Sequence, residues 1–194
     1  MSWTLNVGKG VPAIRSTFAV ESFLTLQEHD DWDALRTAMD PAAVELLHQA
    51  PRSGWLPLAF DADICRASAA VLDDAALRAM GHRNAERTSL TPLLAPIVSS
   101  ASRLLQLAPK TGMRFMQKGV AMLYRDAGTL EFVDEGQPRR ALLVWRGLPD
   151  MVCDRGFLEI IAGGMEYYFP LLHVEGAVQA HLHGNDATFE FTWS

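Results

Sequence analysis

Lysine is scarce in this chain of 194 residues: Lys9, Lys110 and Lys118 are the only three, and the rest of its 17 basic residues are arginines. Without a polybasic tract, nothing in the sequence is built to hold an anionic membrane surface. Twenty-three acids outnumber those bases, and a net charge of −6 gives no general attraction to a phosphate backbone, so nucleic acid is excluded as the expected partner. Cysteine is scarcer still. Cys65 and Cys153 are too few for a disulfide framework and lack companions at zinc-binding spacing, which points to a reducing cytoplasm. There is no run of 18 apolar residues, and the opening "MSWTLNVGKGVPAIRS" has neither a continuous apolar core nor a small-residue cleavage site. A chain that is neither exported nor membrane-spanning is expected. Catalytic signatures are missing as well: there is no Gly-x-Ser-x-Gly, no His-Glu-x-x-His, and no cysteine in a recognisable catalytic setting. "GKG" at 8–10 lacks the rest of a phosphate loop.

What is present is half apolar and patterned. One domain spanning 1–194 is expected, since this length suffices for a full core. "AIRSTFAVESFLTLQEH" (13–29) reads as a short extended entry running into a helix. In "DPAAVELLHQA", Asp40 suits a cap and Pro41 the first helical position, with Val44, Leu46 and Leu47 as the inner side. "PRSGW" breaks the chain. "WLPLAFDADICRASAAVLDD" and "DAALRAMGHRNAER" then read as helices, the second interrupted at Gly81. "SLTPLLAPIVSSASRLLQLAP" continues the helical half with Leu93, Leu94, Ile97, Leu104, Leu105 and Leu107, and "KTGMRFMQKGVAMLYRDAG" adds a further amphipathic piece.

The pattern changes at Gly128. "TLEFVDEG" and "RRALLVWRGLP" predict a β-hairpin over 129–147. "DRGFLEIIAGGMEYYFP" predicts a helix ended by Pro170, with Phe157, Ile160, Ile161, Gly164, Met165 and Tyr168 as one buried stripe lying across a sheet. "GAVQAHLH" and "ATFEFTWS", turning at "GND", predict a second hairpin. The fold class is therefore α+β: a helical N-terminal two-thirds (1–127) packed on a mostly antiparallel sheet built as hairpin, helix, hairpin (128–194).

The stretches "SGWLPLAF" (53–60) and "MGHRNAER" (80–87), with the closing arrangement that ends in Trp193, resemble a family of paralogous myxobacterial proteins of about this length. The C-terminal part is similar to the ligand-binding superfamily of haem nitric-oxide sensors, vinyl-reductase-type domains and vesicle-tethering subunits. That resemblance implies a pocket between helices and sheet for a haem, a lipid or another apolar ligand. Haem sensors of this kind hold the propionates with Tyr-x-Ser-x-Arg, which "LYRDAG" (123–128) does not supply, so an apolar ligand other than haem is expected, its identity open. A tethering-type buried acyl chain would call for a cysteine at the pocket mouth, Cys65 or Cys153.

Among the residues themselves, His181 and His183 share one strand face with Gln179, while Val178, Ala180 and Leu182 take the other. Two imidazoles alone do not make a stable metal site; Glu190 or Asp186 across the hairpin would have to complete it. The alternation equally describes the outer face of a half-solvated hairpin. "EHDDWD" (28–33) has four carboxylates but not the calcium-loop spacing, and reads as a solvated connection between helices. His82 and His173 are conceivable bases, more simply packing residues. Gly163 and Gly164 inside a helix require a close approach, by a strand or by a ligand. Arg139, Arg140 and Arg146 form a small basic edge that guards against aggregation or meets an acidic partner.

The reading that follows is a non-enzymatic regulatory domain that binds an apolar small molecule or relays a signal through protein contacts. Its expected pocket is framed by Trp55, Trp145, Phe157, Ile161, Met165 and Tyr168. The alternatives are an adaptor in a signalling or cell-polarity complex with no ligand, and a metal-dependent enzyme centred on His181 and His183. A protein partner in signalling is expected, and a homo-oligomer is compatible with the sequence.

Overall fold

Strand alternation and helix caps account for most of the elements seen in the computed structural model, which describes residues 3–89 and 109–194. The entry segment divides as its pattern suggests, into strand β1 (Ala13–Arg15) and helix α1 (Ser16–Gln27). The acidic stretch at 28–33 connects α1 to α2 (Trp32–Ala38), contributing Asp33 to that helix's first turn. Helix α3 (Pro41–Gln49) starts where its cap predicts: the Asp40 carboxylate accepts from Ala42 N at 2.9 Å, and proline takes the first position, where no amide hydrogen is needed. Its inner side is Ala43 and Leu47, one turn apart; Val44 and Leu46 are only half-buried.

"WLPLAF" does not open directly as a helix. Trp55–Pro57 is a strand, β2, that pairs antiparallel with β1, and α4 (Ala59–Val71) begins after it. Gly54, at φ 95°, makes the turn that allows this, and its carbonyl accepts from Ser16 N at 3.2 Å. Helix α5 (Asp74–Ser89) follows. The expected leucine-rich helical stretch at 90–108 lies outside the described residues. Helix α6 (Pro109–Leu123) runs into β3 (Tyr124–Arg125), which adds to the other edge of β1 and completes a three-stranded sheet ordered β2-β1-β3. Strands this short carry no period of their own, so the sequence did not announce the sheet.

Both hairpins are present. β4 (Thr129–Val133) pairs with β5 (Arg140–Arg146), and β6 (Gly176–His183) with β7 (Asp186–Trp193) across a two-residue turn in which Gly184 has φ 61°. β5 pairs with β7, which gives an antiparallel sheet ordered β4-β5-β7-β6. Ala141, Leu143 and Trp145 of β5 and Ala187, Phe189 and Phe191 of β7 are buried on its inner face. Fully burying each of these phenylalanines contributes about 1.5–3 kcal/mol.

Between the hairpins, a short 3-10 turn (Asp150–Val152) leads to α7 (Arg155–Glu166), capped by Asp154, whose carboxylate accepts from Phe157 N at 2.8 Å. Helix α7 ends at Glu166, and Pro170 sits inside a separate short helix, α8 (Tyr168–Leu171). One side of α7 lies against β6. The other side meets α5 in the most extensive helix–helix contact among the described residues. Gly81 is therefore not a helix break: α5 passes through it without interruption, and a methyl group there would sit 1.9 Å from the Ile160 carbonyl oxygen. The close neighbour of Gly163 is likewise α5, neither a strand nor a ligand, with a methyl group there falling 2.1 Å from the Arg78 carbonyl oxygen. Arg78 locks the crossing by donating to Glu159 at 2.6 Å, to Glu166 at 2.7 Å and to the Val178 carbonyl at 2.7 Å.

The two adjacent glycines should respond in opposite ways. Gly163→Ala drives a methyl group into backbone and should cost about 3 kcal/mol or more, or prevent folding. Gly164→Ala meets its nearest neighbour, the Gly81 carbonyl oxygen, at an ordinary 3.4 Å; relieved of helical glycine, it should be neutral or stabilising by up to about 1 kcal/mol. Urea midpoints of the two variants test the pair, and equal losses would remove the crossing from this account.

Candidate ligand site

Four aromatic rings meet where the helices, the small sheet and the large sheet converge. Tyr124 points inward because β3 pairs in register with β1, Ile14 lying opposite it, while its neighbour Arg125 points outward. Trp145 projects from the inner face of β5, Phe157 from the first turn of α7, and Phe18 from α1. Ring centroids lie 5.0 Å apart for Tyr124 and Trp145, 5.6 Å for Trp145 and Phe157, and 6.2 Å for Tyr124 with both Phe157 and Phe18, all edge to face. Trp145 donates its indole hydrogen to the Ala127 carbonyl at 2.8 Å.

A carboxyl stands in this apolar setting. Asp61, in the first turn of α4, is 3% exposed and accepts the Tyr124 hydroxyl at 3.2 Å. Burial pushes its pKa up from 3.8 to about 7, against the pull of the Tyr124 hydrogen bond, and the nearby Asp154 charge adds to the rise. Burial likewise holds the Tyr124 hydroxyl and the adjacent Cys65 thiol well above their ordinary ranges, with Asp61 reinforcing both. Cys65 therefore stays a thiol, a poor nucleophile. The group can exchange a proton near neutral pH and can hydrogen-bond a ligand's polar end; it is not equipped for nucleophilic chemistry.

The expected pocket residues divide into four places. Trp145 and Phe157 touch within the aromatic cluster. Ile161 and Met165 are buried further along α7. Tyr168 stands at the far end in α8, its ring 5.3 Å from that of Tyr167, with burial raising its hydroxyl pKa. Trp55 lies apart, on the outer face of the small sheet, its indole 4.1 Å from the Arg15 guanidinium and 5.0 Å from that of Arg125. Asp61 and Tyr124 were not singled out from the sequence. The available signal was a lone acid on the apolar side of "LAFDADIC", between Leu58 and Ile64 at helical spacing.

His181 and His183 are exposed on the outer sheet face beside Gln179, opposite Thr188 and Asp186. The carboxylates that would complete a metal site are engaged elsewhere. Glu190 accepts from Arg140 at 2.6 and 3.0 Å, and Asp186 accepts from Gly147 N at 2.9 Å. No cluster of three His, Cys, Asp or Glu side chains placed to hold a metal occurs among the described residues. His82 packs edge-on to Tyr167 at 5.2 Å, and His173 is an exposed turn residue at φ 55°. Over the α5–α7 crossing lies a hollow of about 350 Å³ lined by Arg78, Ala79, His82, Arg83 and Glu166, open to solvent.

No family model matches the chain, and no curated protein does. Solved structures do. It is similar to the Fe(II) unliganded H-NOX protein from K. algicida, with a TM-score of 0.59 at 12% identity, over 93% of this chain and 97% of that one. A point mutant of the same protein gives a TM-score of 0.61 at the same identity and coverage. The likeness is one of fold.

The haem implied by that fold does not fit the residues present. All six histidines of the chain, at 29, 48, 82, 173, 181 and 183, are half-buried or exposed, and none joins the buried core. In "LYRDAG", the tyrosine is followed by Asp126 and Gly128 where the propionate motif has serine and arginine. Gly128 admits no side chain: its φ is 90°, and a methyl group would sit 2.3 Å from the Arg146 carbonyl oxygen.

Asp61 gives the site a measurable signature. Between pH 4 and 7 the folded chain keeps a proton that the unfolded chain has released, so stability falls as pH rises across that window and levels off above it. The cost is on the order of 4 kcal/mol. Asp61→Asn should remove this slope, making the variant more stable than the parent at pH 8 by a few kcal/mol, an advantage that shrinks toward pH 4. Urea midpoints at the two pH values test it; a constant difference would dissociate the slope from Asp61. For the histidines, elemental analysis before and after the double substitution His181→Ala, His183→Ala should give the same metal content.

Proposed function

We propose that this chain is a non-enzymatic regulatory domain, working in a reducing cytoplasm, that binds an apolar small molecule carrying one hydrogen-bonding end. The observation that carries this reading is the Asp61–Tyr124 pair, desolvated among aromatic rings in a fold shared with H-NOX proteins over nearly their whole length. A buried carboxyl costs stability, and such costs concentrate where a site needs them. In this reading the ligand's apolar body rests against Trp145, Phe157, Ile161 and Met165, and its polar end takes the place of, or joins, the Tyr124 hydroxyl at Asp61. Tyr168 would close the far end. Trp55, on the outer face, stands outside the ligand's reach. Haem is not the ligand, because the chain offers it neither an interior histidine nor the propionate clamp.

The edge-to-face packing of Trp145, Tyr124 and Phe157 favours a second reading, an adaptor whose core is filled by its own side chains and which binds only proteins. Native mass spectrometry of protein purified from cells separates the two. A retained small molecule, released on denaturation and reduced in occupancy by Tyr124→Phe or Asp61→Asn, is the expected result. A bare mass under conditions that keep the chain folded would leave the adaptor. Incubation with haemin should produce no stoichiometric Soret-absorbing complex.

A further inference from the structure

The outer face of the small sheet carries an arrangement that the interior site does not use. With Ile14, Leu56 and Tyr124 turned inward, Arg15, Trp55 and Arg125 point outward, and Arg15 lies directly opposite Trp55 across the β1–β2 ladder. Both guanidiniums rest on the one indole, 4.1 and 5.0 Å from its centre. The ring's quadrupole attracts both cations and holds them in place on its face. Arg15 is fixed further by donating its Nε hydrogen to the Met122 carbonyl at 3.2 Å.

Among the described residues, neither arginine has a carboxylate within hydrogen-bonding distance. Arg15 makes no ion pair among the described residues, and Arg125 has only its neighbour Asp126, at 3.8 Å, with its own Nε buried and unbonded. Elsewhere the arginines find carboxylates directly: Arg78 at 2.6 Å, Arg87 at 2.7 Å, Arg140 at 2.6 Å and Arg155 at 2.5 Å. In a chain with an excess of acids, two cations held on one ring, with no carboxylate nearer than that 3.8 Å contact among the described residues, keep their terminal donors for something outside. Planar forked donors match carboxylates two bonds at a time, and tryptophan with arginine is the combination on which protein interfaces concentrate their energy.

We propose that Arg15, Trp55 and Arg125 form the docking surface for an acidic segment of a partner protein. The segment's carboxylates pair with the two guanidiniums, and its apolar or backbone atoms cover the indole. The chain's net charge of −6 opposes acidic partners at long range, so binding must come from this local clamp. Two arginines are too few for a nucleic-acid backbone. This surface stands independently of any interior ligand.

The test is fluorescence anisotropy of a fluorescein-labelled hexaglutamate peptide titrated with the full chain at low salt, alongside a hexalysine peptide. Hexaglutamate should bind and hexalysine should not. The double substitution Arg15→Gln, Arg125→Gln should weaken binding about tenfold. Arg139→Gln, which removes an exposed arginine from the first hairpin, should leave it within about twofold. The double Arg→Lys variant keeps the charges but loses the forks; it should bind about threefold more weakly and replaces the glutamine variant if that one does not fold. Binding should also shift the tryptophan emission in the parent and not in Trp55→Phe. Absence of hexaglutamate binding would overturn the proposal, as would equal loss in Arg139→Gln. So would displacement of the peptide by equimolar inorganic phosphate, or binding to phosphatidylserine vesicles that depends on Arg15 and Arg125.

Discussion

The near-contact between helices α5 and α7 is the constraint on which the rest of the structure depends. Two glycines on facing surfaces, Gly81 and Gly163, bring the backbones so close that a single methyl group on either would overlap a carbonyl oxygen of the other helix. Helical glycine costs about 1 kcal/mol relative to alanine, and the dispersion gained along an interface packed this tightly must offset it. Arg78 then fixes the register. It reaches Glu159 and Glu166 on α7 and the Val178 carbonyl on β6, while Glu166 also accepts from Val178 N at 3.0 Å, so that two helices and the edge of the large sheet share one network. A third close approach, Gly156 against the Cys65 carbonyl, brings α4 in on the same helix. With α7 held on three sides, Phe157 has one place to go, the aromatic cluster beside Tyr124 and Trp145.

That cluster balances two opposing requirements. Edge-to-face rings stabilise the junction of the two sheets, and each pair adds about 0.5–1.5 kcal/mol beyond its buried area. Asp61 works against them: it takes a carboxyl out of water for one neutral hydrogen bond, with no cation beside it among the described residues. A leucine or asparagine in its place would serve the core better. The carboxyl therefore marks where this chain differs from a structure optimised for stability alone, and it lies at the meeting point of α4, β3 and α7.

Alternation and capping were readable from residues because they are local. Val178, Ala180 and Leu182 faced one way and His181 and His183 the other, Phe189 and Phe191 repeated the inner face on β7, and Asp40 with Pro41 marked the start of α3. The three-stranded sheet was not readable, since strands of two or three residues such as Tyr124–Arg125 exist only through pairing with β1, where Ile14 and Ala13 lie opposite Tyr124 and Arg125 from far away in the sequence. Gly81 looked like a helix end for the same reason: a glycine between an apolar and a polar stretch is ambiguous until the opposing helix is present. Gly163 announced a close approach without naming what approached. The residues expected to frame a pocket do not all share one place. Trp145 and Phe157 meet, but Trp55, grouped with them by its aromatic character, lies on the far face of a sheet whose existence the sequence did not disclose.

β3 connects these faces mechanically. Successive residues of a strand point to opposite sides, so Tyr124 and Arg125 share one stretch of backbone while one reaches Asp61 and the other reaches Trp55. The strand is two residues long and pairs with β1 alone, which makes it one of the most weakly held pieces of regular structure in the fold. The same two residues of backbone thus set the inward position of the Tyr124 hydroxyl at Asp61 and the outward position of the Arg125 guanidinium over Trp55, so the pairing with β1 fixes both at once.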